Sequence, residues 1–286
     1  MIEITKDLVK QLIPVRKQNS NKGDYGKVLN IAGSEKYFGA GVLCSLAALK
    51  TGAGYSIFCS QEKVISLFEK FSPDLIYKSH ENFDINIIKD IIEAENISSV
   101  VLGCGISTEN QVLNFVEQFT DLIKNKNIPV VIDADGLNCL AKLNMEKLNN
   151  NFILTPHPKE LSRLLNMNVE ETEQQRELAV KSATEKYNCT VILKGHNTLI
   201  ATKDNIYKNI TGNSALAKAG TGDVLAGMIG GFLAQKTTPQ NAAVISVYLH
   251  GLAANIYTEN FNEYSLLASE LLNYIPLAIN KTLCKE

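Results

Sequence analysis

Short apolar runs alternate with helical patterns along most of this chain, and that alternation leaves few folds open. The clearest runs are KVLNIAG (27–33), YSIFCS (55–60), SVVLGC (99–104), PVVIDA (129–134), NFILTP (151–156), TVILKG (190–195) and NTLIAT (197–202). Several are unbroken rather than alternating apolar with polar, so both faces of those strands must be covered. Between them lie FGAGVLCSLAALKTG, FDINIIKDIIEA, NQVLNFVEQFTDLIKN and ETEQQRELAVKSATEKY, each with apolar residues at helical spacing or a small-residue helical composition. Strand and helix in repetition predict an α/β fold: a mainly parallel sheet between two helix layers, αβα. After residue 212 two dense Ala- and Gly-rich helices follow, within 215–235 and 239–257, and a third over 265–280. No linker, low-complexity tract or internal repeat interrupts the 286 residues, so one domain over 1–286 is expected.

Composition removes several function classes. Lys plus Arg (28) against Asp plus Glu (30) gives a net charge of −2, which offers no basic field to a nucleic-acid backbone. No stretch approaches the roughly 18 apolar residues of a membrane span, and the start, MIEITKDLVKQLIP, lacks the apolar core of a signal peptide. The six cysteines form no CxxC pair and several sit in apolar runs, which suits buried free thiols and a reducing cytoplasm. His80, His157, His196 and His250 are scattered without zinc spacing.

Any phosphate must therefore be gripped locally, and one segment is built for it. In NSALAKAGTGDVLAGMIGG, Gly220, Thr221 and Gly222 lead into Asp223 and an apolar helix. A glycine-rich turn at a helix start offers free N–H groups and the positive end of the helix dipole. Asp223 itself reads either as a helix cap or as a catalyst. Tight helix packing also explains Gly227, Gly230 and Gly231. GAGVLC, GCGIST and GTGDVL all lack the third glycine of GxGxxG, and no GxxxxGK(S/T) occurs, which weighs against a dinucleotide oxidoreductase and a Walker-type NTPase.

Three further segments carry candidate chemistry. In TPHPKE, prolines flank His157 where a strand must end and a helix begin, a placement that favours a ligand contact over a purely structural role. Glu160 in the first turn is either a dipole-matched surface acid or an acceptor for a metal-bound water. Lys194, in VILKGHNTLIAT, is either a snorkelling surface lysine or a phosphate contact. In VVIDADGLN, Asp133 and Asp135 either organise the turn or support Mg²⁺ through water.

The order KGDYGKVLNIAGS, FGAGVLCSLAALKTGAG, VLGCG, VIDADGLN, ILTPHPKE, VILKGHNTLIA and AGTGDVLAGMIGG, over about residues 20 to 260, resembles the ADP/ATP-dependent NAD(P)H-hydrate dehydratases, the carbohydrate-kinase-like half of the YjeF-type repair proteins. The resemblance implies a ribokinase-like fold, Mg²⁺, and restoration of NADH or NADPH from NADHX or NADPHX with ATP or ADP consumed. It places Ala40, Gly105, His157 and Asp223 at hydrate-binding positions, with Asp223 as general base. Lys194, Gly195, His196, Asn197, Thr198 and Gly222 fall at nucleotide positions, and Gly220 and Thr221 belong to the same anion turn. Glu160 would accept from a metal-bound water. Three residues depart from the pattern: Cys104 replaces a usual proline, and Lys159 and Ala219 replace usual glycines. The resemblance further implies a homo-oligomer, a tetramer among the options, and an epimerase on a separate chain. The alternative on the same fold is a sugar or vitamin-precursor kinase; a third reading is a silent nucleotide sensor, against which the intact GTGD speaks.

Overall fold

A computed structural model of the chain describes residues 1–69 and 72–284. Ten strands form one sheet: β1 (Ile2–Glu3), β2 (Lys27–Ile31), β3 (Tyr55–Gln61), β4 (Ile76–His80), β5 (Ser99–Leu102), β6 (Val130–Ile132), β7 (Phe152–Leu154), β8 (Thr190–Leu193), β9 (Leu199–Ala201) and β10 (Ile206–Lys208). Their order is β1-β10-β9-β8-β7-β6-β5-β2-β3-β4, parallel except where β9 runs against β8 and β10. The interior strands are stretches such as SVVL, VVI and TVIL, whose β-branched side chains suit a pleat covered on both faces.

Alternation along each strand divides the core in two. Val28, Val101, Val131, Ile153, Ile192 and Ile200 face helices α1 (Lys6–Leu12), α2 (Phe38–Lys50), α10 (Thr221–Ala234), α11 (Pro239–Thr258) and α12 (Ala268–Leu283). Leu29, Ile31, Val100, Leu102, Val130, Ile132, Phe152, Leu154, Val191 and Leu193 face α4 (Ile85–Glu95), α5 (Asn110–Lys126), α6 (Asp135–Lys142), α7 (Pro158–Leu165) and α9 (Arg176–Tyr187). The small helices α3 (Glu62–Phe68) and α8 (Val169–Gln174) complete the set. Burial on both faces is the three-layer sandwich that the unbroken apolar runs predict. In the second layer α4, α5, α7 and α9 all stop on asparagine, Asn96, Asn127, Asn166 and Asn188, at φ between 51° and 54°. That left-handed cap is the conformation asparagine tolerates best after glycine.

The chain leaves β2 towards β3 and β4, then returns to lay β5 on the other side of β2. Strand order thus reverses between β2 and β5, and the crevice beyond their carboxyl ends is where open α/β sheets take ligands. Gly33 N–H donates across it to the Cys104 carbonyl at 2.8 Å. Five cysteines are buried as expected from their apolar runs; Cys284, near the end of the last helix, is exposed instead. Among the described residues no helix is long and apolar enough to cross a membrane.

Candidate active site

Four adjacent strands deliver their following residues to one place. Beyond β6, Asp133 is 1% exposed, and beyond β8 Lys194 reaches back to it, Nζ donating to Oδ1 at 2.7 Å. The Lys194 ammonium also lies 3.9 Å from Glu160 Oε2. Burial alone would pull the Lys194 pKa down, but the Asp133 and Glu160 carboxylates outweigh it and hold the ammonium charged. Lys194 is therefore no snorkelling surface residue. Gly103 makes the convergence possible: it holds φ +123°, and a Cβ there would fall 2.1 Å from the Asp133 carbonyl oxygen. Asp135 plays the turn-forming part, its Oδ2 accepting from Ser107 N–H at 2.9 Å.

His157 and Glu160 open α7 as a reciprocal pair. His157 Nδ1 accepts from Glu160 N–H at 3.2 Å, and Glu160 Oε2 accepts from His157 N–H at 2.8 Å. A histidine thus occupies the N-cap place usually taken by Ser, Thr or Asp, which leaves Nε2 as the protonated ring nitrogen. Glu160 is 5% exposed, so the surface-acid reading does not hold; burial pushes its carboxyl up, partly countered by Lys194. Burial and Lys194 both hold His157 below the ordinary histidine range, so its half-exposed ring is neutral near pH 7.

The start of α10 closes the cluster. Gly220 sits at φ +92° as the N-cap, and no side chain caps the helix, so Asp223 is not serving as its cap. A Cβ on Gly222 would lie 3.5 Å from Lys194 Nζ and 3.8 Å from Asp133 Oδ2, which brings the open turn directly over the ion pair. Asp223 is partly buried and accepts from the Cys104 thiol; burial first, then Asp133, pushes its carboxyl up to about 6. Cys104, Asp133 and Asp223 present donor atoms within 4.8 Å of one another. From behind, His250 bonds the Thr221 carbonyl at 2.9 Å through Nε2. Sequence reasoning left His250 unassigned, since a histidine inside a helix of small residues carries no signal of its own.

The remaining candidates flank this centre. Gly195 (φ +137°) and Asn197 (φ 55°) form the β8–β9 turn, where Gly195 and His196 are exposed and Thr198 Oγ1 donates to Gly195 O at 2.9 Å. Beneath it Arg176 Nη2 donates to Leu193 O and Asn197 O, each at 3.4 Å, a support the sequence did not disclose. On the opposite flank Gly105 (φ +71°) packs against Tyr37 and Ala40; a Cβ there would lie 3.2 Å from that of Ala40. The cluster therefore joins Asp133, His157, Glu160, Lys194, Gly222 and Asp223, with the turn at 195–198 on one side and Ala40 with Gly105 on the other.

The sequence profile of the NAD(P)H-hydrate dehydratase family matches residues 28–277. The chain belongs to this family. The ADP-dependent (S)-NAD(P)H-hydrate dehydratase of Bacillus subtilis is 35% identical over 274 residues, covering 95% of each chain. A crystal structure of the Bacillus subtilis ADP/ATP-dependent dehydratase, co-crystallised with ATP/Mg²⁺, superposes with a TM-score of 0.87 at 33% identity and covers 98% of both chains. A ribokinase-like superfamily protein of Enterococcus faecalis gives the same TM-score of 0.87 at 24% identity, which speaks to the fold alone. The bifunctional NAD(P)H-hydrate repair enzyme of Thermofilum pendens is 34% identical over 276 residues, which are 93% of this chain but only 52% of that enzyme's length. That relative is bifunctional, so a second activity shares its chain, whereas the Bacillus subtilis dehydratase is matched over 95% of its own length.

Against the family pattern, two of the three departures are outward-facing: Lys159 and Ala219 are exposed. Cys104 is the one that enters the cluster, where its thiol replaces an inert proline ring with a hydrogen-bond donor to Asp223.

Proposed function

We propose that the chain is an ADP/ATP-dependent (S)-NAD(P)H-hydrate dehydratase acting as one ribokinase-like domain. The observation that carries this is the partly buried Asp223 carboxylate at an uncapped helix start, beside the Lys194–Asp133 pair. The hydrate carries a ring hydroxyl, and hydroxide is a poor leaving group. Asp223 takes that proton as the hydroxyl oxygen bonds to the terminal phosphorus of the nucleotide, whose phosphoanhydride bond breaks. The N–H groups of residues 220–222 and the Lys194 ammonium hold the charge on the phosphoryl oxygens. The ring C–O bond then breaks, its oxygen leaving with the phosphate to which it is newly bonded, a ring proton is lost, and the double bond returns with inorganic phosphate as product.

The donor set fits Mg²⁺ held mainly by nucleotide phosphates and water. Asp133 is already paired with Lys194, which leaves Glu160 to accept from a metal-bound water, as that ion prefers few carboxylates. When bound, Mg²⁺ would neutralise phosphate charge. Exposed Ile210, Phe261, Tyr264 and Leu267 support a homo-oligomer, and the free buried thiols support a reducing, cytoplasmic setting. Incubation with hydrated NADH, Mg²⁺ and either nucleotide should restore the absorbance of reduced nicotinamide and release phosphate. A stable phosphorylated product would instead establish a kinase.

Two variants apportion the half-sites. Lys194→Met should raise the nucleotide KM more than the hydrate KM. It also strands the Asp133 charge, a loss of about 3–5 kcal/mol when one partner of a buried pair is removed. The double variant Lys194→Met with Asp133→Asn should recover most of that stability without recovering nucleotide affinity. Steady-state kinetics with thermal melting checks both; a KM change confined to the hydrate would show the half-sites reversed. His157→Ala should weaken the hydrate with nucleotide KM nearly intact, and lose about 0.5–2 kcal/mol of stability with the α7 cap. Stoichiometric transition metal at His157 would overturn that assignment.

A further inference from the structure

On the β2–β5 flank, away from Lys194, lies a cleft of about 260 Å³ lined by Ser34, Gln61, Phe83, Ile106, Ser107 and Gln111. Ile106 and Ser107 follow Gly105 directly, so the cleft continues the Ala40–Gly105 side of the cluster. One wall group and one group behind the wall lack hydrogen-bond partners among the described residues. Ser34 is 7% exposed, and its hydroxyl has no hydrogen-bond partner among the described residues. Behind the cleft His80 is 2% exposed, its ring centroid 4.5 Å from that of Phe83, and neither ring nitrogen has a partner among those residues. Phe83 itself stands at φ +50°, directly after Asn82 at φ +56°. A bulky aromatic rarely adopts that conformation, and here the Asn82 carbonyl is held by Gln111 Nε2 at 2.5 Å. Orphaned buried polar groups and a strained aromatic each cost stability, and they persist where function supplies the compensation.

The chemistry of the walls narrows the ligand. Phe83, Ile106 and Val112 meet the Ser34 hydroxyl and the amides of Gln61 and Gln111, while the charged lining residues Glu35, Lys36 and Glu109 are exposed, the last two facing one another at 3.8 Å. That combination suits a flat heteroaromatic ring whose edge both donates and accepts hydrogen bonds. A pocket for a whole ligand spans roughly 300–1,000 Å³, so this cleft has room for one ring system and not for a complete dinucleotide. We propose that it binds the adenine end of the dinucleotide hydrate, with the reactive ring at Asp223 and the linking ribose and phosphates passing Gly105 and Ala40. This rests on the dehydratase reading above.

The test compares hydrated NADH with hydrated reduced nicotinamide mononucleotide, which lacks the adenosine half, and reads the ratio of their kcat/KM values. Base-on-aromatic stacking corresponds to roughly 5- to 150-fold in binding, so the native protein should prefer the dinucleotide by at least about tenfold. Ser34→Ala should reduce that ratio by about two- to tenfold, the worth of one hydrogen bond, while raising Tm because a buried orphan hydroxyl is gone. Gln111→Trp, at an exposed position, should fill the cleft and bring the ratio towards one; because it also gives up the bond to the Asn82 carbonyl, its Tm and its rate on the mononucleotide hydrate are read alongside and should stay near native. Equal use of both hydrates by the native protein, or variants that keep the native ratio, would overturn the subsite, as would a lower Tm for Ser34→Ala. Turnover of neither hydrate would overturn the dehydratase reading, and the subsite with it.

Discussion

Asp223→Asn is expected to cut turnover by roughly 10²- to 10⁴-fold, the usual loss when a positioned general base is removed. The substitution keeps the shape of the side chain and its place in the first turn of α10. It forfeits only the dipole contribution of a charge there, about 0.3–1 kcal/mol. Opposing that loss is the position of the group itself. Burial and Asp133 raise the Asp223 carboxyl to about 6, so protonation favours the folded state. Stability from this group is fully present below its unfolded pKa and is lost as pH rises through about 6. At neutral pH the carboxylate is therefore a net burden, which Asn relieves, and Tm should stay level or rise. Activity runs the other way, because the base must be ionised: the native rate should fall as pH drops through about 6. Nucleotide binding should survive, since Lys194 and the backbone amides of the turn remain. A variant that retains more than roughly a tenth of native turnover would remove Asp223 from the base role.

What the sequence disclosed and what it hid divide along a physical line. The interior strands were legible because both their faces are covered: SVVL, VVI and TVIL have no choice of environment. The strands at and next to the sheet edges were not. IYKSH at β4 and IYK at β10 mix charge with apolar residues, and IE at β1 has only two residues. Each takes its strand form from a neighbour rather than from its own pattern. ETEQQRELAVKSATEKY reads as one helix but breaks at Gln175 into α8 and α9, and that break sets Arg176 under the 195–198 turn. The site shows the same division. Asp133, Glu160 and Lys194 each stood out alone, with a bland reading beside the chemical one. Only their distances of 2.7 and 3.9 Å show them to be one charge cluster spread over three strand ends. A pairing across 61 residues leaves no local mark.

The glycines of GTGDVLAGMIGG make the second large prediction, because they decide where Asp223 sits. Gly227 lies one helical turn after Asp223 on the same face of α10, and a Cβ there would fall 2.0 Å from the Cys44 carbonyl oxygen of α2. Gly231, a turn further on, would place one 2.1 Å from Thr51 Oγ1 and 2.6 Å from Ala48 O, while Gly230 would strike Val101 of β5 at 2.4 Å. Helix α10 is thus wedged between α2 and the sheet at a separation only hydrogen side chains allow. Gly227→Val should therefore lose at least about 3 kcal/mol, the upper part of the usual overpacking range, because the atom in the way is a helix carbonyl that has no rotamer to escape to. For a chain of this size that corresponds to a Tm lower by roughly 6–12 °C. Turnover should fall further than stability explains, since moving α10 off α2 carries Asp223 away from Cys104 and the ion pair. Gly39→Ala is the matched control: nothing lies within 4 Å of a Cβ there, so Tm should hold or gain up to about 1 kcal/mol in stability. If Gly227→Val melted within about 2 °C of the native protein and kept its rate, α2 and α10 would have room to separate, and close packing could not be what positions the general base.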